Sequence, residues 1–314
     1  MNLLASLRYL MALDEHRHFA RAAESCHITQ PALSNALRTL EREFGVVIVK
    51  RSRTYVGLTP EGERVLAAAQ RMVHEHKILQ QELGSEVHRP SGSLRIGAVP
   101  TAVPIAARFG GMLQARHPGI VPAVLSMNSL ELEIGLESMS IDLALGYTDR
   151  MGLRDVKLRA WPQYVEHYFL LRRAATAHAV ELQIGPPIRW RDAAALPLCL
   201  LTPDMHNRTI VDAAFATAGT SVRPAIETNS ISTMTLSVVA GGVCSIMPGA
   251  LVGTARGYRE LEALPLMEPE IKTAIGFMSH GGARASRALE AALVLAQDAA
   301  WLRHAAAHSG LMLA

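Results

Sequence analysis

Cysteine is scarce in this chain: three in 314 residues, at Cys26, Cys199 and Cys244. So small and odd a set cannot frame a disulfide-stapled fold, and it points to a reducing compartment. Long apolar runs are also missing; nothing approaches the roughly 18–20 residues that a membrane span needs. The opening MNLLASLRYLMALDEHRHF is apolar at helical spacing but meets Arg8 within its first ten residues. It has no basic leader and no small-residue cleavage site, so no signal peptide is expected and the expected location is cytoplasmic. Excess charge is absent as well. The net charge is +3, and residues 1–90 hold 12 Lys+Arg against 10 Asp+Glu. A polyanionic partner cannot be inferred from that balance, only from where the charges sit. No Gly-rich phosphate loop, serine elbow or zincin motif occurs, so neither an enzyme nor a cofactor is expected. Solenoid repeats and low-complexity tracts are missing too.

What is present is a globular balance, 49% hydrophobic and 19% charged, in a chain long enough for two or three cores. Three zones follow one another. Residues 1–58 are helical and end in VVIVKRSRTYVGLT, which alternates like a small hairpin. Residues 59–89 read as one long helix with its hinge at HRPSGS. Thr59 is its cap, Pro60 takes the first helical position, and Glu61 and Glu63 face the positive end of the dipole. Residues 90–314 alternate strand and helix. Strands are predicted at 94–99, 120–126, 141–146, 164–171, 197–201, 243–247 and 271–278, with helices near 103–116, 129–138, 206–218, 230–240 and 284–306. The last zone divides into two similar halves.

The stretch HFARAAESCHITQPALSNALRTLEREFG carries the sharpest signal. Phe19, Ala22 and Ala23 give one helix a small apolar face, and the turn His27-Ile28-Thr29 is short enough to force a steep angle into the next. Thr29 can cap that next helix, with Pro31 in its first turn. Leu33, Ala36, Leu37 and Leu40 form the buried stripe at i, i+3, i+4 and i+7. Gln30, Pro31, Ser34, Asn35 and Arg38 are left on the exposed N-terminal side, the side that a recognition helix presents to DNA. Gln and Asn can pair bidentately with adenine. Lys50, Arg51 and Arg53 cluster in the hairpin, placed to grip phosphate. Any one of these residues alone reads as a solvated helix position; the ordered set is what argues for DNA.

These residues, with GLTPEGERVL at 57–66, resemble the LysR-type transcriptional regulators. The resemblance is motif-specific over residues 4–90. It implies an α+β multidomain protein: a winged helix-turn-helix, a coiled-coil linker helix and a two-lobed α/β effector domain like the periplasmic binding proteins. Lobe 1 would comprise about 90–160 and 268–314, and lobe 2 about 161–267, with strands joining the lobes near 157–163 and 264–269. It also implies DNA contacts from Gln30, Pro31, Ser34, Asn35 and Arg38, and wing contacts from Arg51 and Arg53. The family's usual Leu-Phe pair before the wing arginine is replaced by Ile48-Val49-Lys50.

Along the linker helix, Val65, Ala69, Met72, His76, Leu79 and Leu83 have a/d spacing. Such a seam needs a partner, and the resemblance makes that partner the same helix of a second subunit, giving a dimer or tetramer on a pseudo-palindromic double-stranded operator. His76 is the polar member, placed at the seam's edge; a pH-sensitive dimer contact is the sharper alternative.

In the effector domain, ligands gather beyond the carboxyl ends of strands and between lobes. Thr101 follows the first strand near a helix N-terminus, which suits a small anion. Asn128, Ser129, Thr202 and Asn229 occupy comparable places, although Ser, Thr and Asn there serve more often as caps. No arginine clamp follows these motifs. His304 and His308 share a helix face without a third ligand, so no metal is expected. Cys199 and Cys244 could serve a redox sensor but read as core packing. The reading is a regulator switched by a small molecule. The alternative is a cytoplasmic small-molecule-binding module that its helical N-terminus merely dimerises.

Overall fold

A computed structural model describes residues 2–51, 55–84, 90–150, 157–178, 180–282 and 284–309. The chain divides into two units, residues 1–85 with 283–286 and residues 86–282 with 287–314.

The first unit runs α1 (Leu3–His16), α2 (Phe19–Ser25), α3 (Gln30–Phe44), β1 (Val49–Arg51), β2 (Tyr55–Leu58) and α4 (Pro60–Gly84). Its core joins Leu7, Leu10 and Leu13 of α1 to Ala22 and Ala23 of α2 and to Leu33, Leu37 and Leu40 of α3. Ile48 and Val49 are buried beneath the β1–β2 hairpin, with both amides donating to Glu41 Oε1 at 3.0 and 3.1 Å. Thr59 caps α4 by accepting from the Gly62 amide at 2.9 Å. Position 62 must be glycine: a Cβ there would run into the Ile48 carbonyl.

The linker seam is buried at its start and exposed further along. Leu66 and Ala69 belong to the core of this unit, with Val65 packed against it, because this part of α4 lies on α1. Met72, Leu79 and Leu83 are 48, 50 and 79% exposed, so the unpartnered stripe begins at Met72 rather than at Val65. His76 is half-buried, with Nδ1 enclosed and unbonded.

The second unit continues with β3 (Gly92–Ala98), α5 (Val103–Arg116), β4 (Ile120–Ser126), α6 (Ser129–Glu137), β5 (Leu143–Tyr147), β6 (Leu158–Arg173), β7 (Gln183–Ile184), β8 (Ile188–Arg189), α7 (Trp190–Ala193) and β9 (Leu198–Leu201). After these come α8 (His206–Thr217), β10 (Ile226–Thr228), α9 (Ile231–Ala240), β11 (Cys244–Pro248), α10 (Gly249–Thr254), β12 (Leu261–Met267), β13 (Lys272–His280), α11 (Arg287–Ala296) and α12 (Ala299–His308). Neighbouring strands run in the order β10-β9-β11-β6-β13-β5-β3-β4, and β12 also pairs with β6.

Two lobes arise because β6 is long enough to serve both. Its first part, through His167, pairs with β13, and Tyr168–Arg173 pair with β11 and β12. One expected joining strand is therefore found at β6. The other is not at 264–269, which is the end of lobe-2 strand β12 and the turn after it; the return crossing is β13 from Lys272. The helix expected over 284–306 is two helices, because Asp298 stops one and caps the next, accepting from Ala300 and Trp301 at 2.8 and 3.1 Å. In lobe 1, Phe109, Phe277 and Trp301 stack at centroid distances of 4.4 and 5.0 Å. In lobe 2 the sheet separates a Leu171–Met234–Leu251 core from a Trp190–Phe215–Leu264 core.

Candidate DNA-reading face and effector cleft

The N-terminal face of α3 takes its shape from its caps. Thr29 accepts from the Ala32 amide at 3.4 Å, with Pro31 in the first turn. The short turn before it is completed by His27 in a left-handed conformation, φ +55°. With Leu33, Leu37 and Leu40 fully buried, helical geometry turns the opposite face to solvent. Gln30, Pro31, Asn35 and Arg38 are exposed there and Ser34 is half-buried. Asn35 and Arg38 line a shallow open hollow with Arg42, Gly45 and Val47. Lys50 is exposed on β1, where Arg51 also lies. Arg53 falls outside the described residues.

The second constellation is buried. Tyr164, Glu166 and Tyr168 stand at alternate positions of β6, so all three point to one face of the strand. Thr101, in the turn Pro100–Ala102 ahead of α5, meets the Tyr147 hydroxyl at 3.1 Å. Asn207, second residue of α8, donates from Nδ2 to Tyr147 Oη at 3.4 Å and to Tyr168 Oη at 3.3 Å. The Tyr168 hydroxyl also meets Thr273 Oγ1 at 3.3 Å. Thr273 lies opposite Glu166 in the β13–β6 register. Thr101 and Tyr147 come from lobe 1, Asn207 and Tyr168 from lobe 2, and Glu166 and Thr273 from the crossing strands. The network therefore spans the hinge.

Glu166 is fully buried, and neither of its carboxyl oxygens closes a well-formed hydrogen bond, the nearby Thr101 hydroxyl being engaged by Tyr147. Burial pushes its titration up to about 8, with the Thr101 hydroxyl acting in the opposite direction. Burial, with the Glu166 charge adding to it, likewise drives Tyr147, Tyr164 and Tyr168 above the ordinary tyrosine range. His206 packs edge-on against Tyr147 at 4.8 Å. Its burial lowers its basicity, and Asp149 at 3.6 Å partly offsets that.

The expected cleft residues fare differently. Thr101 is 1% exposed and joins the network, though its hydroxyl is spent on Tyr147 and not on a helix end. The Glu166 carboxyl also lies close to Thr101. Ser129 is buried with an unbonded hydroxyl, in a mostly apolar pocket lined by Leu132, Leu136, Tyr147 and Met278. Thr202 has an enclosed, unbonded hydroxyl. Asn128 is a cap: its Oδ1 accepts from the Glu131 amide at 2.9 Å, while the Glu131 carboxylate accepts from the Asn128 backbone N–H at 2.7 Å. Asn229 is exposed, and Ser230 rather than Asn229 caps α9. Arg208, buried beside Asn207, is engaged by Asp212 and Glu227 at 2.8 and 2.7 Å. No group of three or more potential metal ligands occurs among the described residues, and no described helix is long and apolar enough to cross a membrane.

The sequence reading missed Tyr147, Glu166, Tyr168 and Asn207. The signal was present in YVEHY, where three polar residues alternate inside a segment otherwise read as an apolar strand.

A helix-turn-helix unit with a β-hairpin, followed by a long helix and a hinged two-lobed α/β unit, defines a regulator that couples DNA to a bound small molecule. The comparisons agree. Residues 4–63 match the family described as "Bacterial regulatory helix-turn-helix protein, lysR family", and residues 88–301 match "LysR substrate binding domain". The chain belongs to the LysR family, the DNA-binding transcription regulators with an effector-binding domain. It is 28% identical to the DNA-binding transcriptional dual regulator OxyR of Escherichia coli over 287 residues, covering 89% of this chain and 90% of that protein. It is 33% identical to the SDS degradation transcriptional activation protein of a Pseudomonas species over 196 residues, 59% of this chain and 64% of that one. Among solved structures, a full-length OxyR variant from Pseudomonas aeruginosa shares the fold at a TM-score of 0.66 and 23% identity, covering 92% of this chain and 95% of that one. CbnR in complex with its target DNA does so at 0.62 and 19%, covering 96% and 99%.

Proposed function

We infer that the chain acts in the cytoplasm as a homo-oligomer joined through the α4 stripe of Met72, Leu79 and Leu83. In this reading Gln30, Pro31, Ser34, Asn35 and Arg38 read a pseudo-palindromic operator, and Arg51 and Arg53 hold its backbone. Thr101, Tyr147, Glu166, Tyr168 and Asn207 form the effector site, with Ser129 and Thr202 at its margins. Asn207 carries the coupling, because the hydrogen bond it donates to Tyr147 ties lobe 2 to lobe 1 while the one to Tyr168 anchors it within lobe 2. An effector that competes for those bonds changes lobe closure, and with it the spacing or bend of the bound DNA.

The observation that carries the DNA reading is the exposed polar set at the start of α3, directly opposite a fully buried leucine stripe. Several relatives are named hydrogen peroxide-inducible genes activators. That chemistry finds no matching thiol at Cys199 or Cys244. Redox-sensing cysteines are accessible and hold a low thiol pKa, whereas Cys199 is fully buried and burial raises its thiol. Burial raises Cys244 too, which the Arg172 charge partly offsets. Cys244 pairs with Leu198 and Cys199 with Ser245, so the two thiols point to opposite faces of the sheet and pack into different cores. A bound molecule, not an oxidant, fits the cleft.

A gel-shift titration against the chain's own upstream region tests the DNA reading. Tight binding that falls steeply with salt is expected as phosphates are neutralised. Binding that is weak and indifferent to salt would favour a small-molecule-binding module that α4 merely dimerises.

A further inference from the structure

Of the buried charged side chains in the described second unit, Glu166 alone lacks an opposite charge. Arg208 has Asp212 and Glu227, and Glu262 has Arg172 at 2.7 Å. A buried carboxyl without a partner is costly, and an apolar residue on β6 would serve packing at no such cost. The surroundings of Glu166 are polar yet uncharged. Tyr147 approaches from β5, Tyr164 and Tyr168 flank it on β6, Thr101 faces it from the turn before α5, and Thr273 stands opposite on β13. Tyr164 Oη is itself enclosed and unbonded. No lysine or arginine acts on the carboxyl from the described residues. The set thus offers hydrogen-bond acceptors, one latent negative charge and three aromatic rings. Such a set is complementary to N–H donors carrying positive charge, which a carboxylate pairs with and aromatic faces attract.

We propose that the effector of this cleft is a cationic nitrogen compound, an amine or a guanidine, whose N–H groups pair with the Glu166 carboxylate among the Tyr147, Tyr164 and Tyr168 rings. This rests on the cleft being the effector site and adds its ligand class. The pairing has a proton signature. Near neutrality the tyrosines stay protonated, and His206, which reaches the site only through Tyr147, has a lowered basicity. Glu166, titrating near 8, is the facing group that changes charge between pH 6 and 9. A cation drives its proton off, so affinity rises about tenfold per pH unit below 8 and levels off above it. An anion would bring the opposite slope, and a neutral donor would titrate little.

The test uses the full-length protein, with methylammonium and guanidinium as probes and urea and acetate as neutral and anionic counterparts at matched ionic strength. Expected are a rise in melting temperature with the two cations, larger at pH 8.5 than at pH 6.5, and loss of that response in Glu166→Gln. Calorimetry of the unaltered protein in buffers of different ionisation enthalpy, which needs no variant, should read close to one proton released per cation bound at pH 7. Equal cation responses in wild type and Glu166→Gln, or stabilisation by acetate that strengthens as pH falls, would overturn the amine class and leave the cleft reading standing. Cations that bind through Glu166 yet leave the operator footprint unchanged would overturn the effector role itself.

Discussion

The exposed face of α3 and the cluster around Glu166 both gather polar side chains, but under opposite solvation. Asn35 and Arg38 are bathed in water, so leaving them unpaired costs nothing until a duplex arrives. Glu166 has no water-exposed surface, so its missing partner is a standing cost to the fold. Both are signs of a binding function, and only the second leaves a mark on stability.

That mark gives the largest expected effect. The Glu166 carboxyl titrates near 4.5 in the unfolded chain and near 8 in the fold. Between these values the folded state holds a proton that the unfolded state has lost, so stability falls as pH rises from about 4.5 to 8 and is level above. At about 1.4 kcal/mol per pH unit, the loss is on the order of 3–5 kcal/mol. Glu166→Gln removes this slope. Unfolding curves at pH 5 and pH 8 should diverge between wild type and variant at the higher pH; parallel curves would mean that the carboxyl is solvated in the fold.

At the exposed face the corresponding change shows only on DNA. Asn35→Ala should weaken specific operator binding by about 1–3 kcal/mol, roughly 5- to 150-fold, while the slope of log affinity against log salt stays as it was. Arg38→Ala, if its guanidinium meets phosphate, should flatten that slope by about one. Neither should move the unfolding midpoint appreciably, since both side chains are exposed. A stability loss equal to that of a core variant would place Asn35 inside the fold.

Thr101→Val lies between the two regions in size. It removes the hydrogen bond to Tyr147 and leaves that buried hydroxyl with Asn207 alone, a cost of about 1–2 kcal/mol. An effector-dependent change in the operator footprint should be lost with it. A variant that keeps the full footprint change would take Thr101 out of the site.

The same contrast explains what could be read from the sequence. Local rules were enough for α3: a capping threonine, proline in the first turn and leucines at helical spacing fix which side is exposed. The cap at Thr59 and the bounds of α5 were legible for the same reason. Glu166 was not, because its significance depends on Thr101, Tyr147 and Thr273 arriving from three other elements, a matter of strand order that one sequence does not display. The crossing at β13 was misplaced by a few residues because the end of β12, Pro265-Leu266-Met267, is as apolar as a crossing strand. The break between α11 and α12 was missed because Asp298 can sit unremarked on a solvated helix face until its caps are seen. The α4 seam was read as uniform because a/d spacing does not say whether the facing helix belongs to the same chain; α1 claims Ala69, while Met72, Leu79 and Leu83 stay exposed.

The smallest expected effect separates a cap from a ligand contact. Asn128 was a cleft candidate by position, following β4 as Thr101 follows β3. Its Oδ1 is occupied by the Glu131 backbone amide, and its backbone N–H donates to the Glu131 carboxylate, so the acceptor end of the side chain is already committed to the cap. Asn128→Ala should cost about 1 kcal/mol through frayed α6, with Asn128→Asp or Asn128→Ser restoring most of it because either can accept the same bond. Affinity for a cleft ligand should stay within twofold of wild type in all three. Tenfold weaker binding in Asn128→Ala together with recovery only by asparagine would show that an amide, not a cap, is required there, and the cleft would then extend along α6 beyond the cluster at Glu166.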